Sequence, residues 1–210
     1  MRLIFSLFIS LCFFSVFAQP AGYKMVKDPL VFKSKFAEAS QKITSIQSDF
    51  VQVKNLSMLN DKVTSKGKFF YKKSNKVRIE YTTPYQYLMV LNNHQMLVKD
   101  EQKASNYNTR SNKMMQSINN IMLDCMRGTV YQNKEFHVQV MEGSKDYLLQ
   151  LNPVTSVMKK MFQRIEVYLD KSDLNVIRLN MVEQGGDNSL MTFSNRMMNT
   201  NLNESLFATR

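Results

Sequence analysis

The chain has 210 residues, of which 44% are apolar and 21% charged, with only 6 Gly and 4 Pro. This composition is typical of one globular domain with a sizeable core, and it excludes disordered, collagen-like and tandem-repeat proteins. The formal net charge of +11 makes the surface basic and favours an anionic partner: a membrane surface, nucleic acid or an acidic protein.

The first eighteen residues have the pattern of a secretory signal peptide. Arg2 is followed by the nearly continuous apolar run 3–17, and Val16 and Ala18 are the small residues expected before a cleavage site. We therefore predict cleavage near Ala18, export, and a single mature domain over residues 19–210. No other stretch approaches the ~20 apolar residues of a membrane-spanning helix. An exported protein has no routine contact with nucleic acid, so nucleic acid is not an expected partner.

The two cysteines leave one alternative open. Cys12 follows Leu11 where a lipoprotein signal would have a small residue, and acylation of Cys12 would anchor the protein to a membrane. Cleavage near Ala18 instead leaves Cys125 alone, so the mature domain has no intramolecular disulfide.

A first helix is predicted directly after a short polar leader. Asp28 is a suitable N-cap, and proline follows it at the first helical position. Apolar residues then recur at steps of three and four, which predicts a helix of about four or five turns with one apolar face. The residues of this face are Phe32, Phe36, Ala39, Ile43 and Ile46.

From residue 50 onward the apolar period changes to two, which predicts about ten antiparallel strands with one buried face. Turn residues separate the runs at hairpin spacing. No clear pattern is found in the loop between residues 151–153 and Met161, or after Phe193. The alternating residues are Phe69 and Tyr71; Val77, Ile79 and Tyr81; Phe136, Val138 and Val140; Ile165, Val167 and Leu169; Ile177, Leu179 and Met181.

A second helix is predicted to interrupt the strands, from a cap at Ser111 to a closing Gly128. A helix with a flexible apolar face that covers the open side of a curved sheet would form a lid. Methionine is flexible and polarisable, and the chain has 16, so these residues are either core filler or the walls of an adaptable pocket. The apolar side of this helix carries Met114, Met115, Ile118, Ile121, Met122 and Met126.

Catalytic motifs are missing from the sequence. It has no G-x-S-x-G, C-x-x-C, H-E-x-x-H, P-loop or G-x-G-x-x-G pattern. His94 and His137 lie in separate predicted strands, so no metal site is predicted. The basic stretch at residues 66–78 is either a solvated strand face or a dock for an anionic membrane or a protein.

Four short sequence motifs, together with the order of the elements, resemble those of the LolA family, the periplasmic carriers of outer-membrane lipoproteins. The motifs are FVQ at residues 50–52, GKFFYKK at 67–73, RIEYTTP at 78–84 and LNP at 151–153. They match the family's F-x-Q, G-x-F-x-aromatic-K-basic, R-x-x-Y-x-x-P and L-x-P patterns. The likeness spans residues 32–207.

The resemblance implies an α+β fold: a strongly curved antiparallel sheet, or incomplete β-barrel, with helices covering its concave face. It implies a periplasmic carrier, without enzymatic activity or a cofactor, that shields the acyl chains of lipoproteins in an apolar cavity. The implied partners are acylated lipoproteins, an inner-membrane ABC-type transporter that releases them and an acceptor at the outer membrane. We expect a monomer.

Two alternatives remain at this point. One is a periplasmic sensor or acceptor domain of the same fold, which recognises lipid or lipoprotein and signals to a partner. The other is a lipid hydrolase without a recognisable motif.

Site residues follow from strand parity and from the resemblance. Lys73 stands where many members have an arginine that latches the lid, and lysine lacks the planar fork of arginine, so any latch here would be built differently. The lid is predicted to carry Met114, Met115, Ile118, Ile121 and Met122. The wall of the acyl-chain cavity is predicted to contain Phe50, Phe69, Tyr71, Val77, Ile79 and Tyr81.

Overall fold

A computed structural model of the protein describes residues 20–111 and 113–209, without the side chains of 113–115. The predicted signal peptide lies outside these residues. The described strands are β1 (Lys24–Met25), β2 (Ser45–Leu56), β3 (Asp61–Lys72), β4 (Lys76–Thr83), β5 (Tyr87–Asn92), β6 (Gln95–Lys99), β7 (Ala104–Asn108), β8 (Phe136–Glu142), β9 (Asp146–Pro153), β10 (Phe162–Asp170), β11 (Val176–Glu183) and β12 (Asn188–Met198).

All of these strands belong to one antiparallel sheet, in the order β1-β8-β9-β10-β11-β12-β2-β3-β4-β5-β6-β7. Strands β2 to β7 form one half as consecutive hairpins, and β8 to β12 form the other. The long pairing of β12 with β2 joins the two halves. The sheet is curved and unclosed, which confirms the predicted α+β fold with an incomplete barrel.

Helix α1 (Pro29–Gln41) begins as predicted. One carboxylate oxygen of Asp28 accepts hydrogen bonds from the amides of Leu30 and Val31, each at 3.0 Å. The predicted C-terminal end is wrong, because the helix stops at Gln41 and Ile46 belongs to β2. Pairing of Ile46 with Tyr71 of β3 draws this residue into the sheet, and its apolar spacing fits either structure.

Helix α2 (Lys113–Arg127) crosses the concave face of the sheet. It follows β7 at one edge of the sheet and leads to β8, which neighbours the opposite edge strand. Gly128 ends the helix with a φ of +70°, as its position in the sequence predicts. A Cβ there would lie 2.8 Å from Ser40 Oγ and 2.9 Å from Ala37 Cα, so this glycine also allows α1 to approach closely.

A third helix, α3 (Ser156–Met161), lies in the segment that showed no sequence period. The Thr155 side chain accepts a hydrogen bond from the Met158 amide and caps its first turn. Met158 is completely buried beneath the other helices. Six residues are too few for an apolar period to show, so the sequence could not predict this helix. None of the described helices is long and apolar enough to cross a membrane.

The outer face of the sheet is covered in part, contrary to the prediction of a single buried face. Phe70 points away from Phe69 and Tyr71 and packs with Val90, Leu202 and Phe207 in a separate apolar cluster. The C-terminal segment after β12 supplies half of this cluster, ending in a short 3-10 helix at Glu204–Phe207. The sequence pattern failed here because the covering residues are few and irregularly spaced.

Lysines of the basic stretch hold this C-terminal segment in place. The Lys72 and Lys76 ammonium groups lie 2.7 and 2.5 Å from the Glu204 carboxylate. Hydrogen bonds from these two lysines lower the pKa of Glu204 to about 2. Arg78 adds a 3.2 Å hydrogen bond to the Leu206 carbonyl. Three of the six basic side chains at residues 66–78 therefore hold the C-terminal segment.

Phe207→Ala tests whether this outer cluster contributes to stability. Phe207 is completely buried, so its loss should lower the free energy of unfolding by about 3–4 kcal/mol in a urea titration. Met58→Ala is the control, since Met58 is 94% exposed and its replacement should change stability by less than about 0.5 kcal/mol. Equal effects of the two changes would contradict the assignment.

Candidate binding cavity

A cavity of about 200 Å³ lies between the concave face of the sheet and α2. Its walls are almost entirely apolar, and six of the lining residues are methionines. Strands from both halves of the sheet contribute to it. The methionines are Met89, Met96, Met122, Met126, Met181 and Met191.

Three of the six predicted wall residues line this cavity, namely Phe69, Ile79 and Tyr81. The register of the strands explains the first two. Phe69, Ile79 and Met89 lie directly opposite one another across β3, β4 and β5, so they form a continuous row on the concave face. Phe193 of β12 packs edge-on against Phe69 with ring centroids 5.4 Å apart.

The other three predicted wall residues, Phe50, Tyr71 and Val77, do not line the cavity. They are at most 2% exposed and belong to the packed core around it. Leu123 of α2 packs into the same cluster and helps to fill the space above them. Strand parity assigns a side chain to a face of the sheet, but it does not show where a helix rests on that face.

The predicted lid residues Ile118, Ile121 and Met122 line the cavity from α2. Ile118 is 40% exposed, so it lies between the cavity and solvent. The side chains of Met114 and Met115 lie outside the described residues.

Lys73, the residue at the family's latch position, binds the end of α1. Its ammonium group donates a 3.1 Å hydrogen bond to the carbonyl of Gln41, the last residue of that helix. Its backbone amide donates to the carbonyl of Thr44 at 2.8 Å. Within the described residues these bonds fix the turn between α1 and β2, and the side chain does not reach α2.

Gly67 determines how Phe50 and Tyr81 are placed. Phe50 lies directly opposite Gly67 across β2 and β3, and a Cβ on Gly67 would come within 2.7 Å of the Phe50 ring. The missing side chain therefore leaves room for the ring to lie over β3. Phe50 then packs edge-on against Tyr81, with centroids 5.0 Å apart, and supports its ring at the cavity wall.

The second wall was not predicted. Val167, Leu179 and Met191 lie opposite one another across β10, β11 and β12, and the same row continues to Gln52 of β2. Strand alternation in the sequence identified the inward positions in β10 and β11. Their approach to β3 and β4 across the cavity depends on the pairing of β12 with β2, for which the sequence has no local signal.

Polar groups at the edge of the cavity satisfy one another. Tyr81 donates a 2.6 Å hydrogen bond to the Gln52 side-chain carbonyl, and the Gln52 amide donates to the Ser189 hydroxyl. Burial, with a smaller contribution from Tyr87, raises the pKa of Tyr81 to about 12. Tyr81 is therefore a neutral hydrogen-bond donor throughout the physiological pH range.

Asn119 of α2 is the exception among these polar groups. Its side chain is 5% exposed and lines the cavity. Within the described part of the chain, its Oδ1 accepts no hydrogen bond. An unsatisfied buried carbonyl costs ~1–3 kcal/mol.

The cavity has the chemistry of a binding site. Cys125 lies in its wall, where burial followed by the charge of Asp124 raises the thiol pKa to about 12, so this thiol is a poor nucleophile. Residues 20–111 and 113–209 contain no cluster of three or more His, Cys, Asp or Glu side chains that would suit a metal.

Comparison of the sequence with models of protein families shows the family to which the chain belongs. The model of the family described as outer membrane lipoprotein carrier protein LolA matches residues 41–210. The chain belongs to the LolA family. The cavity between the curved sheet and the crossing helix therefore lies in a chain of a family described as lipoprotein carriers. No curated protein matches the chain at a significant level.

Solved structures with the LolA-like fold are distant in sequence. An uncharacterised conserved protein of Thermus thermophilus has 10% identity and a TM-score of 0.51, over 86% of this chain and 93% of that one. A LolA superfamily protein of Nitrosomonas europaea has 10% identity and a TM-score of 0.48, over 85% and 96%. MucB of Pseudomonas aeruginosa, solved with MucA, has 13% identity and a TM-score of 0.49, over 83% and 58%. At 10% identity, the Thermus thermophilus structure supports the fold alone.

Asn119→Leu tests the cost of the unsatisfied amide. Replacement by an apolar side chain should raise the free energy of unfolding by about 1–2 kcal/mol, measured by urea titration. Ser117→Ala is the control on the same helix, because the Ser117 hydroxyl donates a 2.7 Å hydrogen bond to Glu135. Its loss should lower stability by about 1 kcal/mol. A destabilised Asn119→Leu variant would show that the amide is satisfied in solution.

Proposed function

We propose that this protein is a periplasmic carrier that shields the acyl chains of lipoproteins and moves them from the inner to the outer membrane. The observation that supports the proposal most directly is the methionine-walled cavity beneath α2 in a chain of the LolA family. The proposal includes export with cleavage near Ala18 and a monomeric carrier. Its partners would be an inner-membrane ABC-type transporter and an acceptor at the outer membrane.

The free energy of hydration explains why such a cargo needs a cavity. Burial of one methylene group contributes ~0.8 kcal/mol, so a chain of about fourteen carbons is held in a bilayer by ~11 kcal/mol. Release of that chain into water would be too slow and too costly for transport. An apolar enclosure of similar affinity removes the cost.

The size of the cavity indicates that it must expand to hold cargo. A cavity of ~150 Å³ accommodates benzene, which has six carbon atoms. The 200 Å³ described here is therefore too small for even one acyl chain of about fourteen carbons. For a carrier, this volume would correspond to a closed state, and we propose that cargo entry involves movement of α2.

The contacts of α2 are suited to such movement. Ser117 and Asp124 bind the segment between α2 and β8, through Glu135 at 2.7 Å and through Thr129 and Asn133 at 2.9 and 2.8 Å. The contacts of α2 with β3 to β6 are mainly apolar, with the Arg127 charge acting on Tyr71 as well. Separation of the helix from that half of the sheet would thus cost mainly apolar contacts, while its attachment beside β8 is retained.

Methionine walls are suited to release as well as to uptake. A cavity that held acyl chains far more tightly than a membrane does could not deliver them, since only a difference in affinity moves an equilibrium. Unbranched thioether side chains repack around shapes of different size without a single optimal fit. Moderate affinity for many cargoes follows from such a wall.

Ile118→Asp tests the lid at its most exposed cavity position. A carboxylate in an apolar cavity is strongly disfavoured, so affinity for a fluorescent fatty acid should fall at least about tenfold. Folding should be nearly unchanged, because Ile118 is already 40% exposed. Asn120→Asp is the matched control, as it places the same residue on the exposed side of the same helix. Global unfolding by Ile118→Asp alone would identify α2 as an ordinary core helix and contradict the proposal.

Extraction of bound lipid tests the cargo directly. The protein purified from the periplasm should yield diacylated or triacylated peptides when extracted with organic solvent and analysed by mass spectrometry. Absence of any acylated species, together with no binding of fatty-acid probes, would contradict the carrier function. Mature protein acylated at Cys12 would instead support the anchored sensor or acceptor.

A further inference from the structure

An open groove of about 570 Å³ lies at the end of the sheet, next to the cavity. It is formed by the end of β4, by the turn that leads to β5 and by the turn after β6. The amide of Gln86 in the first turn lies 3.5 Å from a carboxylate oxygen of Glu101 in the second, so the two turns approach each other. We call this the aromatic groove, after its tyrosines Tyr81, Tyr85 and Tyr87.

One residue separates the aromatic groove from the cavity. Tyr81 lines both spaces. On the cavity side its ring packs against Phe50, and on the groove side against Tyr87, with centroids 5.7 Å apart. Tyr81 is therefore the point at which the cavity and the aromatic groove adjoin.

The aromatic groove differs in chemistry from the cavity. Tyr85 is 68% exposed and Tyr87 37% exposed, so their rings and hydroxyls are available to a ligand. Exposed tyrosines bind peptides well, because the ring contacts apolar surface and the hydroxyl forms hydrogen bonds at a low cost in conformational entropy. An acyl chain alone would not use these hydroxyls.

The charge of the aromatic groove is opposite to that of the whole protein. Its lining contains the carboxylates Asp100 and Glu101 and no basic side chain, although the chain has a net charge of +11. Basic groups lie nearby, since the Lys103 charge acts on Asp100 and an adjoining space is lined by Arg78 and Lys99. Backbone amides of Gln102 and Lys103 donate to Asp100 at 2.9 and 2.7 Å, and these bonds keep its pKa below the ordinary value. A lining that contains these two carboxylates favours a positively charged ligand.

We propose that the aromatic groove binds the first residues of the cargo polypeptide, directly after the acylated residue, and prefers a positively charged sequence there. This inference rests on the proposed carrier function, since the cavity must hold the acyl chains that deliver the peptide to the groove. The protein would then recognise the peptide in addition to the lipid. Recognition of that kind distinguishes lipoproteins from phospholipids, which carry the same acyl chains without a peptide.

The experiment compares two probes on the same purified protein. One is a fluorescent fatty acid. The other is a six-residue peptide that carries a diacylglyceryl group on its N-terminal cysteine, with lysines at the positions that follow the cysteine. Tyr85→Ser should weaken binding of the lipopeptide about threefold to tenfold, the value of one lost aromatic contact, and leave the fatty acid unaffected. Tyr85 is largely exposed, so this variant should fold normally.

A charge variant tests the preference for a basic sequence. Glu101→Gln should weaken the lysine lipopeptide but not a matched peptide with glutamates, and 0.5 M salt should reduce the difference. Glu38→Gln is the control, as Glu38 is an exposed carboxylate of α1 outside the groove. Equal binding of lysine and glutamate peptides to the unaltered protein would overturn the charge preference.

The outcomes separate this inference from the carrier function. If Tyr85→Ser weakens both probes equally, or neither, the groove does not bind peptide and the inference is overturned while fatty-acid binding still supports the carrier. If the unaltered protein binds neither probe, the carrier function itself fails. Selective loss of the lipopeptide in Tyr85→Ser, with Ile118→Asp weakening both probes, supports the two proposals together.

Discussion

The packing of α2 on the concave face of the sheet buries the apolar side chains of both halves of the sheet and borders the cavity. A curved sheet of this length buries one face only if something crosses it, and α2 does so because the chain must pass from β7 to β8 at opposite ends of the strand order. The helix contributes residues to the apolar clusters of both halves. The described side-chain hydrogen bonds of α2 tether it to the segment before β8, while it packs against both halves of the sheet through apolar side chains.

The opposite face of the sheet has a complementary role. Apolar residues there are covered by the C-terminal segment, which Lys72, Lys76 and Arg78 hold through Glu204 and the Leu206 carbonyl. This cluster buries apolar surface of β3 and β5 on the outer face, so burial on both faces of the sheet contributes to the stability of these strands.

Local sequence patterns predicted much of the fold. The cap of α1 at Asp28, the end of α2 at Gly128 and the inward positions of β3 and β4 depend on neighbouring residues, and the structure confirms them. The prediction failed where long-range contacts decide the outcome. Ile46 is in a strand because β3 lies beside it, and α3 is too short to show a period.

For the site, residue alternation predicted which side chains of β3 and β4 face inward, and the composition predicted that methionines would be among the inward residues. Which inward side chains are packed and which border a space could be seen only after folding: Tyr71 and Val77 are covered, whereas Ile79 and Tyr81 line the cavity. It also placed Tyr81 between the cavity and the aromatic groove. The physical reason is that strand alternation is a property of consecutive residues, whereas an unfilled volume depends on how far apart β3, β10 and α2 lie after the sheet has curved.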